Sequence, residues 1–564
     1  MRRTAIPLVF ACSLVASLAG LGCATPDGGT GGEGGSQGTG GSANGTGGSS
    51  SGTGGKTGSG GTSAGTGGTT AGTGGSGTGG GTTSTGGRSG TGGTGTGGST
   101  TSTGGKSGTG GSTGTGGSTT GTGGSMTTAS CSFTVTSSTS SKIPTVGIVT
   151  WSTTLSSPTS AQINFGPDTT YGMTAPVDLT QSNYRTLLLG MKASKTYHFQ
   201  VVASNASGSC TSNDYTVATG AVPNGLLPKL TITTNNKSAL YGGFLMTGQY
   251  VQVASSASVP AYIIDGDGDF VWWYSPGTYD ATGVRMSYDG QYMWINSANV
   301  PSGTVHVHRV TMDGLTDTDF STPFAGLNHQ LTPLPDGSVA FYAYGSNGCE
   351  DIKLFPAGGT TSSSAKTLTN ARTAHGGSGA CHVNNIEYSS SDDTLVFSDL
   401  DNNCITKINK SDGSKVWVLD GGIGGITSSF SGTLWKGGQH GIHVLGVDDF
   451  VIFNNNSSTN ILGGAALGGS GDGSLAIEVK LNLTAMSASQ TWSYKASPGI
   501  QVDVMGDVQR LDNGNTVVGY STKGELQEVN SGGTVLQDIK WSSSGGASFG
   551  YIVKRKTLYG ASPK

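Results

Sequence analysis

The stretch HVNNIEYSSSDDTLVFSDL, residues 382–400, holds two apolar runs joined by a turn of serines and aspartates. A turn at Asp392 between two short strand-forming runs marks a pair of strands. The same design recurs as SYDGQYMWINS, LPDGSVAFYAY, GVDDFVIFN and LDNGNTVVGY. The five turns begin at Asp289, Asp336, Asp392, Asp448 and Asn513, spaced by 47 to 65 residues. Several units add a second strand pair, as in CITKINKSDGSKVWVLDG (404–421) and ELQEVNSGGTVLQDIKW (525–541). Four strands per repeat at this period, without helical stretches, predict the blades of a β-propeller. With PAYIIDGDGDFVWWYS (260–275) in front and FGYIVKRKTLYG (549–560) behind, residues 228–564 give about six blades. The two terminal pieces complete a shared blade and so remove an open sheet edge.

Ahead of the propeller, residues 129–224 alternate over short runs such as VGIVTWSTT, SAQINFG and TYHFQVVASN, broken by Gly, Ser, Asn and Pro turns. This pattern predicts a small β-sandwich. The line YRTLLLGMKASKTYHFQVVASNASG (184–208) resembles the later strands of a fibronectin type III module. The whole chain therefore reads as all-β, a sandwich followed by a six-bladed propeller.

The first 128 residues are different. The start, MRRTAIPLVFACSLVASLAGLGCATPDGG, has two arginines, an apolar run and small residues before Cys23, the layout of a secretory signal. It resembles a bacterial lipoprotein signal, which implies residues 1–22 as signal peptide and Cys23 as the lipidated first residue of the mature chain, holding an exported protein to a membrane face. Residues 23–128 are almost entirely Gly, Thr and Ser. Such a segment buries too little apolar surface to offset its conformational entropy and is expected to be a disordered tether.

Net charge is -4 with 11% charged residues and no basic run after Arg3, so the chain carries no footprint for nucleic acid. Of seven cysteines, five follow the tether: Cys131, Cys210, Cys349, Cys381 and Cys404. In an oxidising compartment an odd number leaves one thiol unpaired. Cys131 and Cys210 stand near the first and last strands of the sandwich and form a candidate disulfide. There is no CxxC or HxxxH spacing, and no metal or cofactor is expected. DGDGD at 265–269 has part of a calcium-loop pattern but lies between two strands, where it reads as a hairpin turn.

Seven of the eight histidines fall in the propeller. His329, His382 and His440 each precede the Asp turn of their blade by 7 to 10 residues, in GLNHQLTPLPDG, ACHVNNIEYSSSDD and GGQHGIHVLGVDD. Equivalent offsets in successive blades aim the three side chains at one end of the central channel. His443 reads as structural. His306 and His308 alternate along TVHVHRV and share a face, which reads as a surface strand rather than a metal pair.

These motifs resemble those of the bacterial arylsulfotransferases, exported enzymes with a six-bladed propeller after a β-sandwich. The resemblance spans about residues 240–540 and rests on NHQLTPLPDGS, HVNNIEYSSSDDTLVFS, TKINKSDGSKVWVLDGG, GQHGIHVLGVDDFVIFNN and GDVQRLDNGNTVV. It implies transfer of a sulfuryl group from a phenolic sulfate to a phenol acceptor, without a cofactor. It also implies His440 as the nucleophile that carries the group as sulfohistidine, with His329, His382 and Asn384 holding the sulfate oxygens. One position departs from the family: Leu400 stands where members place an arginine, whose charged fork would grip a sulfate in two places. Arg372, in TNARTAHGG, is the candidate substitute for substrate binding. The alternative is a non-catalytic cell-surface propeller that binds a glycan, an anion or a protein.

Overall fold

A computed structural model describes residues 131–560, apart from 251–258, 278–279, 300–303, 346, 422–427, 432–433, 461–465 and 543–547. The signal sequence, Cys23 and the tether lie outside the described residues. Strands dominate throughout, and all the strand pairs are antiparallel. Among the described residues no helix is long and apolar enough to cross a membrane.

Two sheets form the N-terminal layer. One joins Phe133–Thr139, Gly147–Thr153 and Thr186–Leu188; the other is centred on Ser160–Gly166 and Thr196–Asn205. Their inward positions, Val149, Trp151, Ile163, Phe165, Phe199 and Val201, make one core. This is the alternation of inward and outward residues expected of a sandwich. Cys131 and Cys210 are disulfide-bonded across it.

Six sheets follow, one per blade. Blades 2 to 5 each take four consecutive strands, beginning with Asp280–Met286, Leu327–Pro333, Val383–Ser389 and Gln439–Val444. The first strands of neighbouring blades touch one another from Phe244–Gly248 of blade 1 round to Asp507–Arg510 of blade 6, and so line the axis. All five recurrent turns of the sequence join the first and second strands of blades 2 to 6. Their geometry explains the residue types: Asp289, Asp336 and Asn513 accept the backbone N–H two residues on at 3.0, 2.9 and 3.1 Å, respectively.

Closure uses both chain ends. Val553–Arg555 pairs with Phe244–Gly248 in blade 1, and Lys229–Asn235 adds a fifth strand to blade 6. The edges that would otherwise gape between the first and last blades are thus paired.

DGDGD is the hairpin between Ala261–Asp265 and Phe270–Tyr274. Its carboxylates are taken by a cation of the sandwich: Lys192 Nζ lies 3.2, 2.7 and 2.7 Å from Asp265, Asp267 and Asp269. Arg185–Asp313 at 2.5 Å makes a second such bridge. Ile143, Val146 and Leu189 of the sandwich share an apolar core with Met246, Trp272 and Met312 of the propeller.

Candidate active site

The histidines gather where the chain enters the first strands of blades 3, 4 and 5. Each of these strands loses register with its neighbour near its start: between Leu327 and Leu331, between Val383 and Asn385, and between Gln439 and Ile442. Such bulges turn a side chain out of the regular alternation. They hold His329, Asn384 and His440, and His382 immediately precedes the second of them.

The rings meet closely. His329 stands 4.9 Å from His382 between centroids, nearly perpendicular to it, and 6.3 Å from His440. Tyr551, from the closing segment, brings its ring to 6.4 Å from His329. Its hydroxyl donates to the Asn384 carbonyl oxygen. Asn384 is fully buried; its amide nitrogen donates to the Gln439 carbonyl at 2.7 Å, and its Oδ1 has no partner among the described residues.

His329 adopts φ +55°. A left-handed backbone at a residue other than glycine costs on the order of 1–3 kcal/mol and persists only when its surroundings impose it. Here Asn296 Nδ2 and Thr282 Oγ1 donate to the His329 carbonyl at 2.6 and 3.2 Å. The ring's Nδ1 is buried without a partner in the described structure.

His440 is only 1% exposed. Asn455 Nδ2 donates to the carbonyls of Val502 and Met505 at 2.8 and 3.0 Å, which fixes the amide orientation and leaves Oδ1 as an acceptor. That oxygen lies 2.6 Å from His440 Nδ1, so Nδ1 carries the hydrogen. The lone pair is then on Nε2, where the Met505 backbone N–H meets it at 3.1 Å. Met505 and Gly506 both have positive φ, +62° and +108°, a tight loop that aims this N–H.

Burial strips these rings of charge. It pushes His440 down to about 3, with His382 adding to the effect and the Asn455 hydrogen bond opposing it. Burial likewise holds His329 well below the usual histidine range, helped by the two other imidazoles. His382 is lowered by burial as well, against a pull upward from Asp401 and Asp399. The cluster at neutral pH is a set of neutral imidazoles that offer N–H donors and one directed lone pair.

Arg372, the remaining sequence candidate, and His443, read as structural, make other contacts. Arg372 lies on a five-residue helix, Ala371–His375, and its Nε and Nη2 donate to the Gly379 carbonyl at 3.2 and 2.8 Å. His443 accepts the Arg510 backbone N–H at 3.1 Å and lines a cavity of about 140 Å³ with Arg285, Glu387 and Asp507, nearer the other end of its strand. Of the remaining cysteines, Cys349 bonds to Cys381, next to His382, and Cys404 is the buried free thiol.

Residues 352–553, which include blades 4 and 5 with His382 and His440, match the arylsulfotransferase (ASST) family model. That part of the propeller is thus similar to the arylsulfotransferases. No curated protein sequence matches the chain. Solved structures similar to it include TolB from Acinetobacter baumannii, 12% identical over 65% of this chain and 80% of that one, with a TM-score of 0.37. A protein of unknown function from Bacteroides caccae is 14% identical over 55% of this chain and 98% of its own, with a TM-score of 0.35. The Cps50 (Swd1) propeller domain from Myceliophteria thermophila is 11% identical over 58% and 90%, also with a TM-score of 0.35.

Leu400 is 2% exposed. Its Cδ1 would come within 2.4 Å of any Cβ placed on Gly438, two residues before His440. A leucine thus packs against the turn that delivers His440, at the position where the family resemblance leads one to expect an arginine. The sequence pattern did not single out Asn455, Met505 or Tyr551. Asn455 carries a faint signal, the run Asn454-Asn455-Asn456 directly after an apolar strand.

Proposed function

We propose that the protein moves a sulfuryl group from a phenolic sulfate ester to a phenol acceptor through a sulfohistidine at His440. The single observation that supports this reading most is the fixed tautomer of His440, which leaves the lone pair on Nε2 of a ring that stands 6.3 Å from His329. In the first half-reaction Nε2 attacks sulfur, an N–S bond forms, the S–O bond to the aryl group breaks, and a phenolate leaves. The Met505 N–H must swing off Nε2 for this to happen, and it can then donate to an oxygen of the transferred group. As the ring becomes cationic, its Nδ1–H bond to Asn455 strengthens, an interaction worth more in the transition state than in the ground state.

In the second half-reaction the acceptor oxygen attacks sulfur, the N–S bond breaks, and the phenolic proton passes to a neutral imidazole. His382 is suited to that role, because the nearby Asp401 carboxylate favours its charged form. His329, His382 and Asn384 are the remaining residues assigned to hold the sulfate oxygens. One site serving both substrates requires ping-pong kinetics. Initial rates at several fixed acceptor concentrations should give parallel double-reciprocal lines; intersecting lines would rule out the sulfohistidine route.

Leu400 favours a second reading, a propeller that binds an anion or glycan without turnover, since it lacks the cation that would neutralise the moving group. Tight binding of an aryl sulfate with no product formed would select it. Export with a lipid anchor at Cys23 completes the proposal; Cys23→Ala should move the protein from the membrane fraction to the soluble one.

A further inference from the structure

Blade 2 carries a second histidine cluster, away from the strand entries. His306 and His308 alternate on Thr304–Thr311, so their side chains stand on one face. The three-residue edge strand Asp317–Asp319 pairs with it and sets Asp319 directly opposite His308. One ligand atom each from His306, His308 and Asp319 lies within 4.8 Å of the others. Ligands bonded to one zinc ion at about 2.1 Å sit roughly 3.5 Å apart, so small side-chain rotations close the set.

The supporting groups are already in place. Asp317 Oδ1 lies 2.9 Å from His308 Nδ1, and the Tyr274 hydroxyl donates to the other carboxylate oxygen of Asp317 at 3.0 Å. A carboxylate on one ring nitrogen fixes the tautomer and presents the lone pair of the other, the arrangement that orients metal-bound histidines. Asp319 is itself oriented: the Ser321 backbone N–H donates to its Oδ1 at 2.7 Å, and the Ser321 hydroxyl donates to the same oxygen.

We propose that His306, His308 and Asp319 form a binding site for a divalent transition-metal ion of the zinc class, with Asp317 as the orienting carboxylate. Two imidazoles and a carboxylate suit Zn²⁺, Ni²⁺ or Cu²⁺, whereas Mg²⁺ and Ca²⁺ prefer all-oxygen sets. Asp319 is exposed, so the outer side of the ion stays open to water or to a group from another molecule. This assignment is independent of the chemistry at His440.

Calorimetric titration of Zn²⁺ into the chelator-stripped full-length protein tests it. One saturable site should disappear in a His306→Ala/His308→Ala variant that keeps its circular dichroism spectrum. Asp317→Asn should weaken the same site 10- to 100-fold, the usual effect of losing an orienting partner. Excess Mg²⁺ should not displace the ion. Every variant keeps His329, His382 and His440, so any zinc they hold appears as a constant background. An unchanged stoichiometry in the double variant, or no saturable binding to the wild type, would overturn the site. Unchanged affinity in Asp317→Asn would overturn the role of Asp317.

Discussion

Two histidine clusters in the same propeller are built for different chemistry. At the strand entries of blades 3 to 5 the rings are packed among amides, and the partner of His440 is the neutral oxygen of Asn455. At the outer edge of blade 2 the partner of His308 is the carboxylate of Asp317. The first environment favours an uncharged ring with one aimed lone pair, as a nucleophile needs. The second sets a carboxylate against one ring nitrogen and so orients the other, beside an exposed carboxylate, as a metal site needs. The residue type is the same; burial and the charge of the hydrogen-bond partner decide the role.

Substitutions can break this contrast. The largest effect should come from His440→Ala, which removes the lone pair altogether and should cut transfer by about 10³-fold or more while leaving zinc binding at blade 2 intact. Assay with a chromogenic aryl sulfate reads the first part and titration the second. Asn455→Ala leaves the nucleophile but frees its tautomer and position, and a rate loss of about 10²-fold is expected, mainly in kcat. A purely structural Asn455 would instead lower the melting temperature and leave kcat per folded molecule unchanged.

Leu400→Arg should act in the opposite direction. A cation beside Gly438 would grip the sulfate oxygens and raise kcat/KM by about 10-fold, the worth of one charge-assisted hydrogen bond. Because Leu400 packs tightly on Gly438, the thermal stability of this variant should fall at the same time.

The smallest effect is a flat line. His440 is held down to about 3 by burial. A group with a lowered folded pKa stays neutral until the pH approaches that value, so the rate of sulfohistidine formation should be level from pH 8 to pH 5. Loss of rate around pH 6.5 would mean that the ring titrates as an ordinary solvated imidazole.

The blades were legible in the sequence because the turns that begin at Asp289, Asp336, Asp392, Asp448 and Asn513 are local: Asp289, Asp336 and Asn513 bond the backbone two residues on, Asp392 bonds the hydroxyls of Ser389 and Thr394, and the short apolar runs on both sides can be read without a distant partner. The gathering of His329, His382 and His440 was legible too, because equivalent offsets in a repeat imply equivalent positions in space. What the sequence hid depends on pairing across the fold. Bulges that turn His329 and His440 inward arise between strands, not within them. Asn455 becomes the partner of His440 only after Val502 and Met505 orient its amide. Asp317 and Asp319 look like any acidic turn until strand pairing sets them against His308. Leu400 was visible as a departure from the family, but its packing on Gly438 was not.

The central claim is a covalent bond between sulfur and one nitrogen of one histidine. Full-length protein mixed briefly with an aryl sulfate in the absence of acceptor, digested under alkaline conditions and examined by peptide mass spectrometry, tests it directly. The prediction is one added SO₃ group on the peptide carrying His440, lost when a phenol acceptor is supplied and absent from His440→Ala. Product formation with no adduct on that peptide, or an adduct on His440 that no phenol removes, would contradict it.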